Sequence, residues 1–188
     1  MEKEQQQKGN NNGNRERVEI DIREMEIDDL ATVFHMGEQL FKAKDVPNLY
    51  RTWDEYEVIT FFQGDTELCL VAEVEGRVVG FLLGTTVTKS RSAWKYGLMA
   101  WLGVNASCRR HGVAKKLFEE FRDIMEEQGV RMLLVDTEAD NEEALRFFEK
   151  IGFDSPEEHV YLSLNLATKR RRSRKLKKNN GNNRRKKT

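Results

Sequence analysis

The stretch Leu102-Gly103-Val104-Asn105-Ala106-Ser107-Cys108-Arg109-Arg110-His111-Gly112-Val113-Ala114-Lys115-Lys116 carries an apolar run into a basic, glycine-containing turn that opens an amphipathic helix. Residue types in this order build a cradle for phosphate. Gly112 and the small Ala114 let the backbone approach a ligand closely, the first N–H groups of a helix have no partner within it, and the helix dipole favours an anion there. Arg109, Arg110, Lys115 and Lys116 add positive charge, with His111 among them. The order strand, turn, helix is that of nucleotide-binding loops, yet neither G-x-x-x-x-G-K-[ST] nor G-x-G-x-x-G is present. The plain alternative is an ordinary helix N-terminus with charged side chains facing water.

A second cluster lies one helix and one strand further on, at Asn141-Glu142-Glu143-Ala144-Leu145-Arg146-Phe147-Phe148-Glu149-Lys150-Ile151-Gly152-Phe153. The spacing R-x-x-G-x-A at Arg109–Ala114, followed by N-x-x-A-x-x-F-[YF]-x-K-x-G-F at Asn141–Phe153, resembles the two signatures of the GNAT superfamily of acyl-CoA-dependent N-acetyltransferases. The resemblance implies an α/β domain whose mixed, mostly antiparallel sheet has six to seven strands, splays between the fourth and fifth, and is flanked by about four helices. It implies acetyl-CoA as cosubstrate, without a metal. The backbone at Leu102, Gly103 and Val104 would pair with the pantetheine arm, and Gly103 suits a bulge there. Arg109, Arg110, His111, Gly112, Val113, Ala114 and Lys115 would hold the pyrophosphate. Asn141 and Phe148 would line the arm's far end, although an Asn before a helix is equally an N-cap.

Transfer to an amine requires the amine to lose a proton and the departing thiolate to gain one. Here the chain departs from the family it resembles, which commonly has a tyrosine acid where this chain has Phe148, and often a glutamate on the fourth strand where this chain has Leu98 and Ala100. Asp136, which interrupts the apolar run Met132–Val135, is the remaining candidate base, with burial expected to favour its protonated form. A structural carboxylate at a strand end is the rival account. Tyr96 shares a strand face with Leu98 and is the candidate proton donor, though an aromatic on a strand commonly serves packing. His35 and His159 show no partner in sequence.

The elements that must position these groups are legible as patterns. Val18–Arg23 alternates like a strand, and Asp28 or Asp29 can cap a helix with apolar face Leu30, Val33, Phe34 and Leu40. The stretch from Phe41 to Gln63 is rich in aromatics and acids, among them Trp53, Asp54, Glu55, Tyr56 and Glu57; the resemblance puts it on the acceptor side. Leu68–Val74 and Val78–Thr88 read as strands joined by a tight turn at Glu75-Gly76, and Lys95–Val104 as the next strand. A helix from Gly112 carries the stripe Val113, Leu117, Phe118, Phe121, Ile124 and Met125 and stops at Gly129. Arg131–Thr137 is apolar enough for a buried parallel strand, and Val160–Leu166 for a final one.

The chain has 188 residues and formal net charge zero. Residues 168–188 hold 12 Lys and Arg and no acid, leaving 20 basic against 32 acidic side chains in residues 1–167, a net of −12. An acidic body draws in cationic acceptors such as protein N-termini, lysines or polyamines. The basic tail, 168–188, is expected to be disordered and to make nonspecific contact with RNA or ribosomes. Residues 1–17 form a second polar tail, which leaves 18–167 as one domain. No apolar run reaches the ~18 residues of a membrane helix, so a soluble, cytoplasmic protein is expected. Cys69 and Cys108 have neither metal-site nor disulfide spacing. Two rival functions stand beside catalysis. The missing acid and glutamate would suit a non-catalytic acyl-CoA sensor, and the tail a nucleic-acid-associated protein.

Overall fold

A computed structural model describes residues 19–41, 52–88 and 94–158, together with Val160, Leu162 and Leu164. The tails expected at 1–17 and 168–188 lie outside the described residues, as does His159. The chain divides into two compact units, 1–138 and 139–188.

The first unit contains β1 (Asp21–Glu24), α1 (Leu30–Leu40), α2 (Glu55–Gly64), β2 (Cys69–Val74), β3 (Arg77–Thr88), β4 (Lys95–Val104), α3 (Val113–Glu127) and β5 (Met132–Val135). The strands form one sheet in the order β1-β2-β3-β4-β5. Neighbours are antiparallel except β4 and β5, which run parallel. The β2–β3 connection is the expected tight turn: Glu75 and Gly76 both have positive φ, 52° and 69°, the geometry that matches hairpin twist.

Alternation along the strands sends side chains to two faces. Cys69, Val71, Phe81, Leu83 and Trp101 pack on one face with Val33 and Met36 of α1 and Val58 of α2. Burial pushes the Cys69 thiol up to about 12, so it is an inert apolar filler. On the other face lies α3, whose Val113, Leu117, Phe118, Phe121 and Met125 are buried. A Cβ on Gly80 would sit 3.0 Å from Val113, and one on Gly84 only 2.3 Å from Phe121, so these glycines let the helix lie close against the sheet. The end of α3 is closed by Gly129 at φ 75°. Val130 N–H donates to Met125 O and Gly129 N–H to Glu126 O, each at 3.0 Å.

The mixed, mostly antiparallel sheet is the one expected, with five strands among the described residues. Other expectations are corrected. The final strand expected at Val160–Leu166 lies largely outside the described residues; of its positions, Val160, Leu162 and Leu164 are described and are 82, 85 and 67% exposed. β5 is not buried on both faces. Met132 and Leu134 are 43 and 42% exposed while Leu133 and Val135 are half-buried. Asp29 does not cap α1 with its side chain. Its Oδ2 accepts from Glu26 N–H at 2.8 Å and from Arg23 Nη1 at 2.6 Å, closing a short 3₁₀ turn, Ile27–Asp29, against β1.

The Arg23 hydrogen bond holds the Asp29 carboxyl below its ordinary range against the opposing effect of burial. A depressed folded-state pKa stabilises the fold above the unfolded value of about 3.9, and that contribution is lost as pH falls through the folded value. Asp29→Asn is therefore expected to destabilise the protein at neutral pH and to flatten the stability decline below about pH 4, measured by urea unfolding at several pH values.

Candidate functional site

Between β3 and β4 the register shifts by one residue: Leu83 faces Trp101 and Gly84 faces Met99, so Ala100 is extra. The β-bulge thus sits at Ala100 and not at Gly103, which pairs regularly with Phe81. Gly103 is small for another reason, since a Cβ there would lie 2.7 Å from the Phe81 ring and 2.9 Å from Leu40. The bulge reverses the alternation. Met99 lies on the α3 face, opposite Gly84, whereas Trp101 lies on the α1/α2 face with its ring centroid 4.8 Å from Phe41 and 5.0 Å from Trp53.

The parallel pairing of β4 with β5 ends at the same place, Met99 opposite Val135. From Ala100 to Val104, β4 has β3 on one edge and no described strand on the other. Asn105 N–H donates to Val79 O at 2.8 Å. Period-two alternation then turns the N–H and C=O of Gly103 toward β3 and those of Leu102 and Val104 toward the open edge. A bulge that kinks one strand of a parallel pair is a physical reason for the pair to part.

The open edge leads directly into the basic turn. Asn105 Oδ1 accepts from Ser107 N–H at 3.1 Å and starts a 3₁₀ turn, Ala106–Cys108. Arg110 and Gly112 are left-handed, at φ 64° and 88°. His111 Nδ1 lies 2.9 Å from the Arg109 carbonyl oxygen. No side chain caps α3, and its first bond is Lys116 N–H to Gly112 O at 3.0 Å. The N–H groups of Val113, Ala114 and Lys115 therefore have no intrahelical acceptor. A Cβ at Gly112 would meet nothing within 4 Å, so the turn faces open space. Arg109, Arg110, Lys115 and Lys116 are all exposed. Lys115 is ion-paired with Glu119 at 3.2 Å, and Lys116 donates to Ile20 O at 2.8 Å.

On the α1/α2 face beside the splay stand Tyr96 and Leu98, both half-buried, paired with Met132 and Leu134 of β5. Asp136 follows directly after β5, level with the bulge, and it is exposed, not buried as the apolar run before it suggests. His35 is exposed, 3.0 Å from Glu38.

One acid of the acceptor-side stretch has a partner that the sequence does not show. Glu57 lies in the first turn of α2, where Asp54 Oδ1 caps its N–H at 3.0 Å. The spacing D-x-x-E suggests only a capping box. Instead the Glu57 side chain leaves the helix, and its Oε2 accepts from Trp101 Nε1 at 3.0 Å, a pairing 44 residues apart that no local pattern encodes.

In the second unit, α4 (Glu142–Ile151) is capped by Asn141 Oδ1, which accepts from Ala144 N–H at 3.2 Å. The capping account of Asn141 is thus realised. Phe148 is half-buried, its ring 5.5 Å from Phe147 and 5.7 Å from Phe153 in edge-on packing. Gly152, at φ 108°, ends the helix. Among the described residues no group of three or more His, Cys, Asp and Glu could hold a metal, and no helix is long and apolar enough to cross a membrane.

Residues 38–153 match the family model described as acetyltransferase (GNAT) family. N-alpha-acetyltransferase 30 of Schizosaccharomyces pombe is 37% identical over 57 residues, 30% of this chain and 38% of that protein. An acetyltransferase of Yersinia pestis is 27% identical over 138 residues, 72% of this chain and 89% of that one. The crystal structure of the NatC complex bound to Gag peptide and CoA superposes with a TM-score of 0.63 at 22% identity, covering 74% of this chain and 87% of that chain.

Proposed function

The chain belongs to the acetyltransferase (GNAT) family, and on that premise we propose that it transfers the acetyl group of acetyl-CoA to a primary amine in a ternary complex. The observation that carries this reading is the continuity of two features. The unpaired edge of β4 beyond Ala100 runs straight into the uncapped N-terminus of α3. One is a backbone edge that an extended arm can join as a strand does, and the other is a set of N–H groups suited to a pyrophosphate.

The residues present fit the cosubstrate. Leu102 and Val104 would hold the arm through their outward N–H and C=O groups. Gly112, Val113, Ala114 and Lys115 would hold the pyrophosphate through the backbone, with Arg109, Arg110 and His111 around it, and Asn141 and Phe148 belong to the family's second signature. Acetyl-CoA supplies the activated thioester. On the acceptor-side face, Asp136 would take the amine's proton and Tyr96 would protonate the departing thiolate.

A solvated carboxylate is a modest base, so Asp136→Asn is expected to lower kcat by about tenfold, below the 10²–10⁴ of a well-placed one. Steady-state turnover across pH checks this. For the acceptor, a protein N-terminus or lysine is favoured, with polyamines and small amines as the alternative. The acidic character of residues 1–167 supports a cationic acceptor, and the N-alpha-acetyltransferase relative supports a peptide. A turnover screen with acetyl-CoA against peptides, spermidine and small amines decides among them. Binding of acetyl-CoA without turnover of any amine would establish the sensor instead.

A further inference from the structure

We infer that Glu57 is the anchor for the acceptor's ammonium group, a site of one carboxylate oriented by the Trp101 indole at the mouth of the β4 splay. The inference rests on the reading above, in which the thioester lies along the open edge of β4. Trp101 is the first residue past the bulge, on the α1/α2 face, and its indole N–H engages one Glu57 oxygen, Oε2. That bond places an acidic group of α2 over the stretch of β4 where β5 is no longer paired. No described residue forms a hydrogen bond or ion pair with the other oxygen, Oε1.

Three features suit a cation. Glu57 is only partly exposed, so its charge is less screened than that of a fully solvated side chain. Trp101, itself 8% exposed, packs against Trp53 and Phe41, and this aromatic wall lowers the polarity around the carboxylate. The first turn of α2 carries Glu55 and Glu57 and its last turn carries no basic residue, so the helix itself offers no competing partner. A carboxylate required only to satisfy the indole N–H would need one oxygen. The second can accept from an –NH₃⁺ group, and a charge-assisted hydrogen bond of that kind fixes the nitrogen before it loses its proton.

The shared ligand chemistry is a primary ammonium, whether the α-ammonium of a peptide or an aliphatic amine. Glu57→Gln keeps an acceptor oxygen for Trp101 and removes only the charge. The test uses the full chain with two probes, a decapeptide with a free N-terminus and spermidine. For the probe that wild type acetylates, Glu57→Gln should raise KM about tenfold or more, with kcat changed far less. In the CoA-loaded dead-end complex, calorimetry should show the same loss of affinity for the amine and unchanged affinity for its neutral N-acetyl product. Trp101→Phe, which keeps the ring and drops the N–H, should show a smaller rise in KM. Acetyl-CoA affinity and melting temperature should be unaffected in Glu57→Gln. Equal amine KM and Kd in wild type and Glu57→Gln would overturn the anchor while leaving the transferase reading standing, as would equal losses for amine and acetylated product. A wild type that binds acetyl-CoA yet neither binds nor acetylates either probe would overturn both.

Discussion

Gly112→Asp is expected to weaken acetyl-CoA binding about a hundredfold, the equivalent of roughly 2.7 kcal/mol, while the protein remains folded. Gly112 precedes α3 at φ 88°, and a Cβ there would meet nothing within 4 Å, so an Asp side chain enters open space and not the core. Asp tolerates the left-handed region better than most residues, which limits the structural cost. The effect on a phosphate ligand is severe for two separate reasons. The side chain occupies the approach to the N–H groups of Val113, Ala114 and Lys115, and its negative charge cancels the attraction of the helix end for an anion. Its carboxylate can also cap those same groups from within the protein, since no side chain does so now. Calorimetry with acetyl-CoA, beside a thermal melt, measures both quantities; undiminished affinity in a folded variant would remove the phosphate cradle from the account. Gly112→Ala separates the contributions, because it adds strain and a methyl group without charge and should cost several-fold less affinity.

What could be seen in the sequence follows a physical division. Local patterns were legible because local forces decide them: the stripe of α3, the Gly129 stop, the Glu75-Gly76 turn and the Asn141 cap all involve residues within one or two helical turns of each other. β4 appears from Lys95 to Val104 with the bounds expected. The bulge was displaced from Gly103 to Ala100 because a glycine in a strand has two explanations, a kink or a close neighbour, and here Phe81 and Leu40 supply the neighbour. The kink falls on an alanine whose type carries no signal for it. β5 misled for a related reason. Met132-Leu133-Leu134-Val135 has the composition of a strand covered on both faces, yet Met132 and Leu134 stay exposed, and composition cannot tell a covered face from one left open. Asp29 is a local cap candidate and instead serves Arg23, and Glu57, in the first turn of its own helix, reaches Trp101. In both cases a long-range partner outcompetes a local one, a choice that only the folded chain makes.

The largest expected loss of stability comes from the contact that seats α3 on the sheet. Phe121 is fully buried, and its ring lies where Gly84 has no side chain. Phe121→Ala empties that seat and should cost about 3–5 kcal/mol, lowering the melting temperature by roughly 6–20 °C for a chain of this size. Gly84→Ala attacks the same contact from the strand, since the added Cβ would sit 2.3 Å from Phe121 Cε2 and 2.7 Å from its Cζ, with the Leu98 carbonyl oxygen at 3.1 Å. Overpacking of this kind costs about 1–3 kcal/mol. If the ring is what the new methyl meets, the two changes are coupled: Gly84→Ala should be much less damaging in a Phe121→Leu background, where the forward edge of the ring is gone. Simple additivity in that double-mutant cycle would mean that the strain lies at the Leu98 carbonyl, in β4 itself. The distinction bears on function because α3 lies close against β3 at Gly80 and Gly84, through Val113 and Leu117 at one and Phe121 at the other. Val113 is the first residue of α3, directly after Gly112. The packing that fixes the helix against the sheet therefore also fixes where its uncapped N–H groups stand relative to the open edge of β4. A variant that loosens Phe121 should lose acetyl-CoA affinity along with stability, whereas Gly112→Asp should lose affinity alone.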